Sequence, residues 1–223
     1  MATSGTTSFN LDLVDIIEEA FERASVGTRE LRSGYDFKTA RRSLSLMLLE
    51  WANRGLNLWT VEQGAIALQQ GVATYDLPED TVDLVEYVIR ENNTDLSLSR
   101  ISVGTYATIP NKQTEGRPVQ LYIDRQIVPR VTLWPVPSKN DYTLVYWRLR
   151  RLQDPGQGSN TQDVPFRFLP CLISGLAYNL AMKIPEGAPF LEPLKAQYDA
   201  DWLIASTEDR DKSNMYIVPR IAR

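Results

Sequence analysis

Histidine and cysteine, two of the side chains most often used in catalysis and metal binding, are almost absent from this sequence of 223 residues. There is no histidine, which excludes the commonest general base and most zinc sites. The sequence also lacks a phosphate-binding loop, a dinucleotide-binding glycine pattern and a Cys-x-x-Cys pair. The 28 Asp and Glu residues could supply the two acids of a glycosidase, but no spacing singles out a pair. We therefore expect no enzyme activity, no cofactor and no metal site.

The single cysteine, Cys171, allows no disulfide within the chain. It lies in an apolar segment that is predicted to be helical. We interpret it as a small buried hydrophobe rather than a reactive thiol, because activation of a thiol needs a basic partner close to the sulfur.

Charged residues cluster at two places near the N-terminus. The first predicted helix carries acidic side chains that could be imagined as metal ligands; they are Asp12, Asp15, Glu18, Glu19 and Glu22. A solvated helix face is the better interpretation, since metal ligands must converge on one point. The basic cluster of Lys38, Arg41 and Arg42 could contact a phosphate backbone. The net charge of −4 favours instead a solvated face or a salt bridge to a neighbouring subunit, and argues against a dedicated nucleic-acid-binding protein.

Cys171 and the two charged clusters fall in segments that are predicted to be helical, and these segments lie towards the two ends of the chain. Helical spacing predicts a helix over residues 9–26, capped by Asn10 or Ser8, and a second over 37–54, capped by Asp36. The expected buried stripe of the first helix is Leu13, Ile16, Ile17, Ala20, Phe21 and Ala24. That of the second is Ala40, Leu44, Met47, Leu48 and Trp51.

Two further helices are predicted after residue 160. Asp163 is expected to cap the first of them and Pro165 to lie in its first turn, with apolar residues recurring as far as Ile184. Pro170 favours a start near Phe168, with residues 165–167 as a separate turn. The last helix is expected to start at Pro189 and to end near Lys212.

The middle of the chain is predicted to be β-rich. The runs 131–136 and 142–149 flank a turn-forming cluster and predict a hairpin, in which Trp147 and Leu149 face the core. Trp134, Tyr146 and Trp147 could form a platform for a sugar or a base, but core packing is favoured. The remaining predicted elements are strands within 58–77 and at 81–90, 96–101 and 119–123, a turn at 91–95 and a short helix at 102–109.

The pattern as a whole predicts an α+β fold, in which a helical bundle from both ends of the chain carries an inserted antiparallel β domain and an extended C-terminal tail. The expected segments are 1–57, 58–151, 152–212 and 213–223, in chain order. The N-terminal residues do not resemble a signal peptide, and no apolar run reaches the roughly 20 residues of a membrane span. We therefore expect assembly in a cytosol and no membrane partner.

The predicted tail is unusually apolar for a chain terminus. Pro219 prevents a helix and favours an extended form, which could dock in a groove or at a sheet edge of another chain. Folding back onto its own domain is the alternative. The residues expected to make the contact are Met215, Tyr216, Ile217, Val218, Pro219 and Ile221.

One stretch of the chain resembles a known family. Trp-Pro-x-Pro at 134–137, Tyr-x-x-x-Tyr-Trp at 142–147, a polar loop ending near Asp163 and an apolar helix opened by proline follow one another. This order resembles the head-to-tail adaptor proteins of tailed bacteriophages, also called connector or tail tubular proteins, and most closely those of short-tailed phages.

The resemblance implies a structural virion protein without catalytic residues, assembled in the host cytoplasm and placed at the head–tail junction. It would form a homo-oligomeric ring, expected to be a dodecamer, between the phage portal protein and the tail nozzle protein. Double-stranded DNA would pass through its channel without sequence-specific binding, and the C-terminal tail would bind the portal. Subunit-contact or channel candidates are Lys38, Arg41, Arg42, Arg148, Arg150 and Arg151. The alternative is a β-domain binding module for carbohydrate or nucleic acid with a helical oligomerisation collar.

Overall fold

The computed structural model describes residues 5, 11–24, 34–54 and 58–209. The described parts of Met1–Arg54 and Gln153–Arg223 form a helical unit, and those of Gly55–Leu152 form a β unit. The α+β fold, with helices from both ends of the chain around a β insertion, is confirmed. The predicted tail lies outside the described residues.

The described residues form five α-helices and ten β-strands. The helices are α1 (Leu13–Ala24), α2 (Gly34–Asn53), α3 (Val103–Ala107), α4 (Leu169–Ala181) and α5 (Leu191–Glu208). The strands are β1 (Val61–Ala67), β2 (Thr74–Asp76), β3 (Thr81–Glu91), β4 (Thr94–Ser97), β5 (Ser99–Arg100), β6 (Glu115–Gly116), β7 (Gln120–Asp124), β8 (Arg130–Trp134), β9 (Val136–Pro137) and β10 (Thr143–Arg150). Within these residues, no helix has the length and apolar character needed to cross a membrane.

Helix α1 starts later than predicted, because Asp12 caps it. The Asp15 backbone N–H donates to Asp12 Oδ1 at 2.9 Å, and the Asp12 N–H donates to Asp15 Oδ2 at 3.4 Å. This reciprocal pair is a capping box, which satisfies two backbone donors that a helix start leaves open. The predicted caps, Ser8 and Asn10, lie outside the described residues. The buried stripe is confirmed except for Phe21, which is half-buried.

Helix α2 also differs from the prediction at its start. It begins at Gly34, so Asp36 lies within its first turn and not before it. Its predicted buried stripe is confirmed: Ala40, Leu44, Met47, Leu48 and Trp51 are all buried.

Helix α4 is the centre of the helical unit, since α1, α2 and α5 all pack against it. A separate turn at Phe166–Phe168 precedes it, as Pro170 suggests, and the helix ends at Ala181 rather than Ile184. Asp163 is not its cap, because the N-cap residue is Phe168, which makes no side-chain cap bond. The Asp163 carboxylate accepts a hydrogen bond from the Gln153 N–H at 3.1 Å.

Gly175 explains how closely the neighbours of α4 approach. A Cβ atom there would lie 2.6 Å from Met47 Sδ and 2.7 Å from the Tyr198 ring. The missing side chain therefore leaves the space that α2 and α5 occupy.

The β unit contains three sheets, and the predicted hairpin between β8 and β10 is wrong. Strand β10 pairs with β1 and β3 in the order β1-β10-β3-β4, whereas β8 pairs with β2 and β7 in the order β2-β8-β7-β5. Pro135 and Pro137 cannot donate to a ladder, so the chain leaves β8 at this point. The short strand β9 pairs with β6. The unit is mainly antiparallel, although β5–β7 and β6–β9 are parallel pairs.

The predicted facing of β10 is also wrong. Tyr142, Leu144 and Tyr146 belong to the core cluster of the β unit, while Trp147 and Leu149 are half-buried outside it. Gly64 of β1 lies opposite Tyr146 and has no side chain to compete with the tyrosine ring for space. Val145, which alternates with these residues, is also buried, so burial in β10 is concentrated in its first half.

Two local predictions in the β unit are confirmed. The turn between β3 and β4 contains Asn92 and Asn93 with φ values of 47° and 61°, the left-handed conformation that tight hairpin turns require and asparagine tolerates. The short helix α3 is capped by Ser102, whose hydroxyl accepts a hydrogen bond from the Thr105 N–H at 3.1 Å.

Candidate functional site

Arg148 and Arg150, two of the predicted contact residues, lie in an ion-pair cluster inside the β unit. Arg148 bonds Glu62 at 3.0 Å and also pairs with Asp80, and Arg150 bonds Glu62 at 2.6 Å. Their side chains are only 12% and 11% exposed. Arg151 is exposed and donates to the Glu79 carbonyl at 3.1 Å.

The cluster balances its own charge. The hydrogen bond from the Arg148 guanidinium holds the pKa of Asp80 below its ordinary value, so the carboxylate stays ionised. Two guanidinium groups are thereby matched by two carboxylates, which leaves little net charge for a partner. Their assignment to a subunit contact or a channel stays a prediction.

The outer face of α2 has a different character, because its cations are exposed. Lys38, Arg41 and Arg42 form no ion pair within the described residues. Leu46 and Leu49 follow on the same helix and are 61% and 58% exposed. We call these five residues the α2 face; sequence reasoning identified its cations and missed its leucines.

An open groove of about 450 Å³ lies along α1. Acidic side chains of α1 line it, together with one apolar residue just before α1 and one from α4. We call it the acidic groove; its residues are Leu11, Asp15, Glu18, Glu19, Glu22 and Ile173. No group of residues in the described part of the chain has the arrangement of a metal site.

The end of α5 exposes a further apolar surface. Leu203 and Ile204 are largely exposed, and they line a groove together with Arg167, Thr207 and other residues. Trp202, Leu203 and Ile204 are adjacent, and three adjacent residues cannot all lie in one buried stripe of a helix. The sequence alone therefore indicates that part of this apolar surface is exposed.

The aromatic residues of the helical unit form a structural cluster. Trp51 packs against Phe168 and Trp202 with ring centroids 5.8 and 5.1 Å apart. The Trp51 Nε1–H donates to the Tyr198 hydroxyl at 2.8 Å, and burial raises the pKa of Tyr198 to about 12. The Arg54 guanidinium lies 4.7 Å from the Trp202 ring centroid and caps the cluster by a cation–π contact.

The three residues considered for a platform in the β unit, Trp134, Tyr146 and Trp147, do not form one. Tyr146 lies in the core, and Trp147 follows it on the opposite face of β10. Trp134 donates its Nε1–H to the Asn111 carbonyl at 3.1 Å. This arrangement favours packing over the binding of a sugar or a base.

The helical unit thus exposes apolar side chains beside charged ones on α2 and α5. The sequence profile of the SU10 adaptor protein matches residues 11–220, and the chain belongs to this family. No curated protein matches the chain.

Family membership confirms the expected resemblance at the level of a phage adaptor. The protein is therefore a structural bacteriophage adaptor and a virion component, from a family that is not a class of enzymes. Membership also implies assembly with portal and tail proteins. The relation to short-tailed phages in particular stays a prediction.

Proposed function

We propose that the protein forms a dodecameric ring between the portal and the tail nozzle and extends the channel for double-stranded DNA. The observation that carries this proposal is the family match over nearly the whole chain, residues 11–220. A ring needs surfaces that neighbouring subunits can cover. The α2 face is one candidate, since it combines exposed leucines with cations that form no ion pair with any residue the structure describes.

The charge distribution supports a channel that does not hold DNA tightly. The net charge of the chain is −4, and Arg148 and Arg150 are already matched by carboxylates. Tight non-specific binding depends on many free cations facing phosphate groups. We propose that Lys38, Arg41 and Arg42 make subunit contacts. Arg148, Arg150 and Arg151 are proposed to lie at a subunit contact or in the channel wall.

We propose that the C-terminal tail binds the portal protein. Its apolar residues Met215, Tyr216, Ile217, Val218 and Ile221, with Pro219 among them, would be costly to leave in water and suit an extended segment in a groove.

Electron microscopy of phage particles tests the assignment. We expect a ring of this protein at the portal vertex, identified by labelling its chain, and twelve copies per particle by quantitative mass analysis. Absence of the protein from purified particles would refute the proposal, and a different copy number would refute the dodecamer.

A further inference from the structure

We propose that the α2 face of one subunit docks into the acidic groove of its neighbour, so that identical chains join head to tail. The proposal rests on the ring assembly that we propose for the protein. It adds the two surfaces that meet, both of which belong to the helical unit.

The two surfaces are complementary in charge. Lys38 and Arg42 are four residues apart on α2, and Glu18 and Glu22 are four residues apart on α1, so each pair stacks along one helix face. None of these four side chains forms an ion pair within the described residues. Stacked like charges disfavour an isolated helix, and each pair would be relieved by facing the other across a contact.

The apolar parts of the two surfaces also match. Positions 38, 42, 46 and 49 follow one another at helical steps, so Leu46 and Leu49 extend the basic stripe as a ridge. The lining of the acidic groove includes two apolar residues beside its carboxylates, the half-buried Leu11 and the buried Ile173. A leucine ridge in this groove would remove apolar surface from water, chiefly that of Leu46 and Leu49, which a DNA phosphate backbone would not do.

A head-to-tail contact is favoured over a two-fold one. Pairing two α2 faces, or two acidic grooves, would place like charges opposite each other. A contact between two different surfaces repeats from subunit to subunit and closes into a ring when its rotation allows.

Charge reversal tests the pairing in the full-length protein. Lys38→Glu with Arg42→Glu should reduce the yield of rings on portal-bearing heads about tenfold or more, as should Glu18→Lys with Glu22→Lys, because like charges then meet. The chain that carries all four changes should recover most of the yield. Arg117→Glu is the matched control, since Arg117 is exposed in the β unit and has no ion pair within the described residues. Unchanged circular dichroism and melting temperature would show that each variant folds.

Disulfide trapping tests the geometry independently. Leu49→Cys together with Glu22→Cys should give ladders of linked subunits under mild oxidation, and neither single variant should give linked chains. Cys171 does not compete, because it is buried and its pKa is raised to about 12. Dimers from Leu49→Cys alone would show that α2 packs on α2 and would overturn the proposal.

The failure of this contact can be told apart from the failure of the ring. If rings form in normal yield with the reversed charges, the contact is wrong and the ring stands. If both double variants lose rings and the fourfold variant does not recover them, the surfaces contact other proteins and the pairing is wrong. If the wild-type protein forms no ring on portal-bearing heads, the proposed function itself fails.

Discussion

At the scale of single residues, the hydrogen bond between Trp51 and Tyr198 joins α2 to α5 in a buried aromatic cluster. The indole N–H has a partner only as long as the tyrosine hydroxyl is present. A buried donor that loses its partner costs more than the bond itself contributes.

Tyr198→Phe should therefore lower the free energy of unfolding by about 1–3 kcal/mol, because it keeps the ring and leaves the Trp51 N–H unsatisfied. Urea denaturation measures the change. Tyr178→Phe is the control in the same unit, since its hydroxyl has no hydrogen bond within the described residues. Equal losses from both variants would contradict the role of the bond.

The Asp80–Arg148 pair predicts a pH-dependent contribution to stability. Its hydrogen bond lowers the pKa of Asp80 in the folded protein below the ordinary value of 3.8. A lowered carboxyl pKa adds stability above the unfolded pKa, and this stability is lost as the pH falls through the folded value.

Asp80→Asn should thus destabilise the protein at pH 7 and make no difference well below pH 3.8. The loss at neutral pH should stay below about 1 kcal/mol, because the Asp80 side chain is 46% exposed and solvent screens the pair. Unfolding measured across this pH range checks the trend, with Asp141→Asn as an exposed control. A difference that grows on acidification would have the wrong sign.

At the scale of elements, the pairing of β1 with β10 depends on a glycine. A Cβ at Gly64 would lie 2.5 Å from the Tyr146 ring, so any side chain there must displace the tyrosine from the core or move the strand.

Gly64→Ala should destabilise the protein by about 1–3 kcal/mol, as overpacking does. Gly104→Ala is the control, because a Cβ there would lie 3.7 Å from its nearest neighbour. Thermal unfolding distinguishes the two, and Tyr146→Leu should reduce the effect of Gly64→Ala by making room. No difference between the two glycines would rule out the steric explanation.

The sequence predicts elements better than it predicts how they meet. The buried stripes of α1 and α2 are visible because a helix brings its apolar residues together within one segment. The partners of β8 and β10 are distant in sequence, so their closeness along the chain wrongly suggested a hairpin.

The prediction of which face of β10 is buried failed for a related reason. Alternation separates two faces without saying which one is buried, and Trp147 and Leu149 are as apolar as Leu144. The register shifts between β10 and β3 after Trp147 and after Leu149. Arg148 and Arg150 could be recognised as a pair, but Glu62 and Asp80 become their partners only in the folded sheet. The cations of α2 could be identified from the sequence, because they lie close together within one helix and their grouping needs no distant partner.

At the scale of the whole molecule, we expect the C-terminal tail to serve attachment to the phage head and the folded units to determine the melting temperature. Removing residues 213–223 should leave the melting temperature nearly unchanged and abolish attachment to portal-bearing heads, since the tail is proposed to bind the portal. Calorimetry and co-sedimentation with heads measure the two effects.

Leu203→Ser is the control for the truncation, because it also removes apolar surface, in this case an exposed side chain of α5 in the helical unit. If the shortened chain melts several degrees earlier and still attaches, the tail belongs to the core of its own domain, and the portal assignment is wrong.

The central position of α4 has a consequence for the order in which the protein is made. The ribosome completes the β unit before it reaches α4, yet α1 and α2 both pack against that later helix. The apolar stripes of α1 and α2 therefore lack α4 as a packing partner until the whole insertion has been synthesised. A nascent chain of this kind is exposed to aggregation for that interval, so the time needed to synthesise the β unit sets how long α1 and α2 lack their partner.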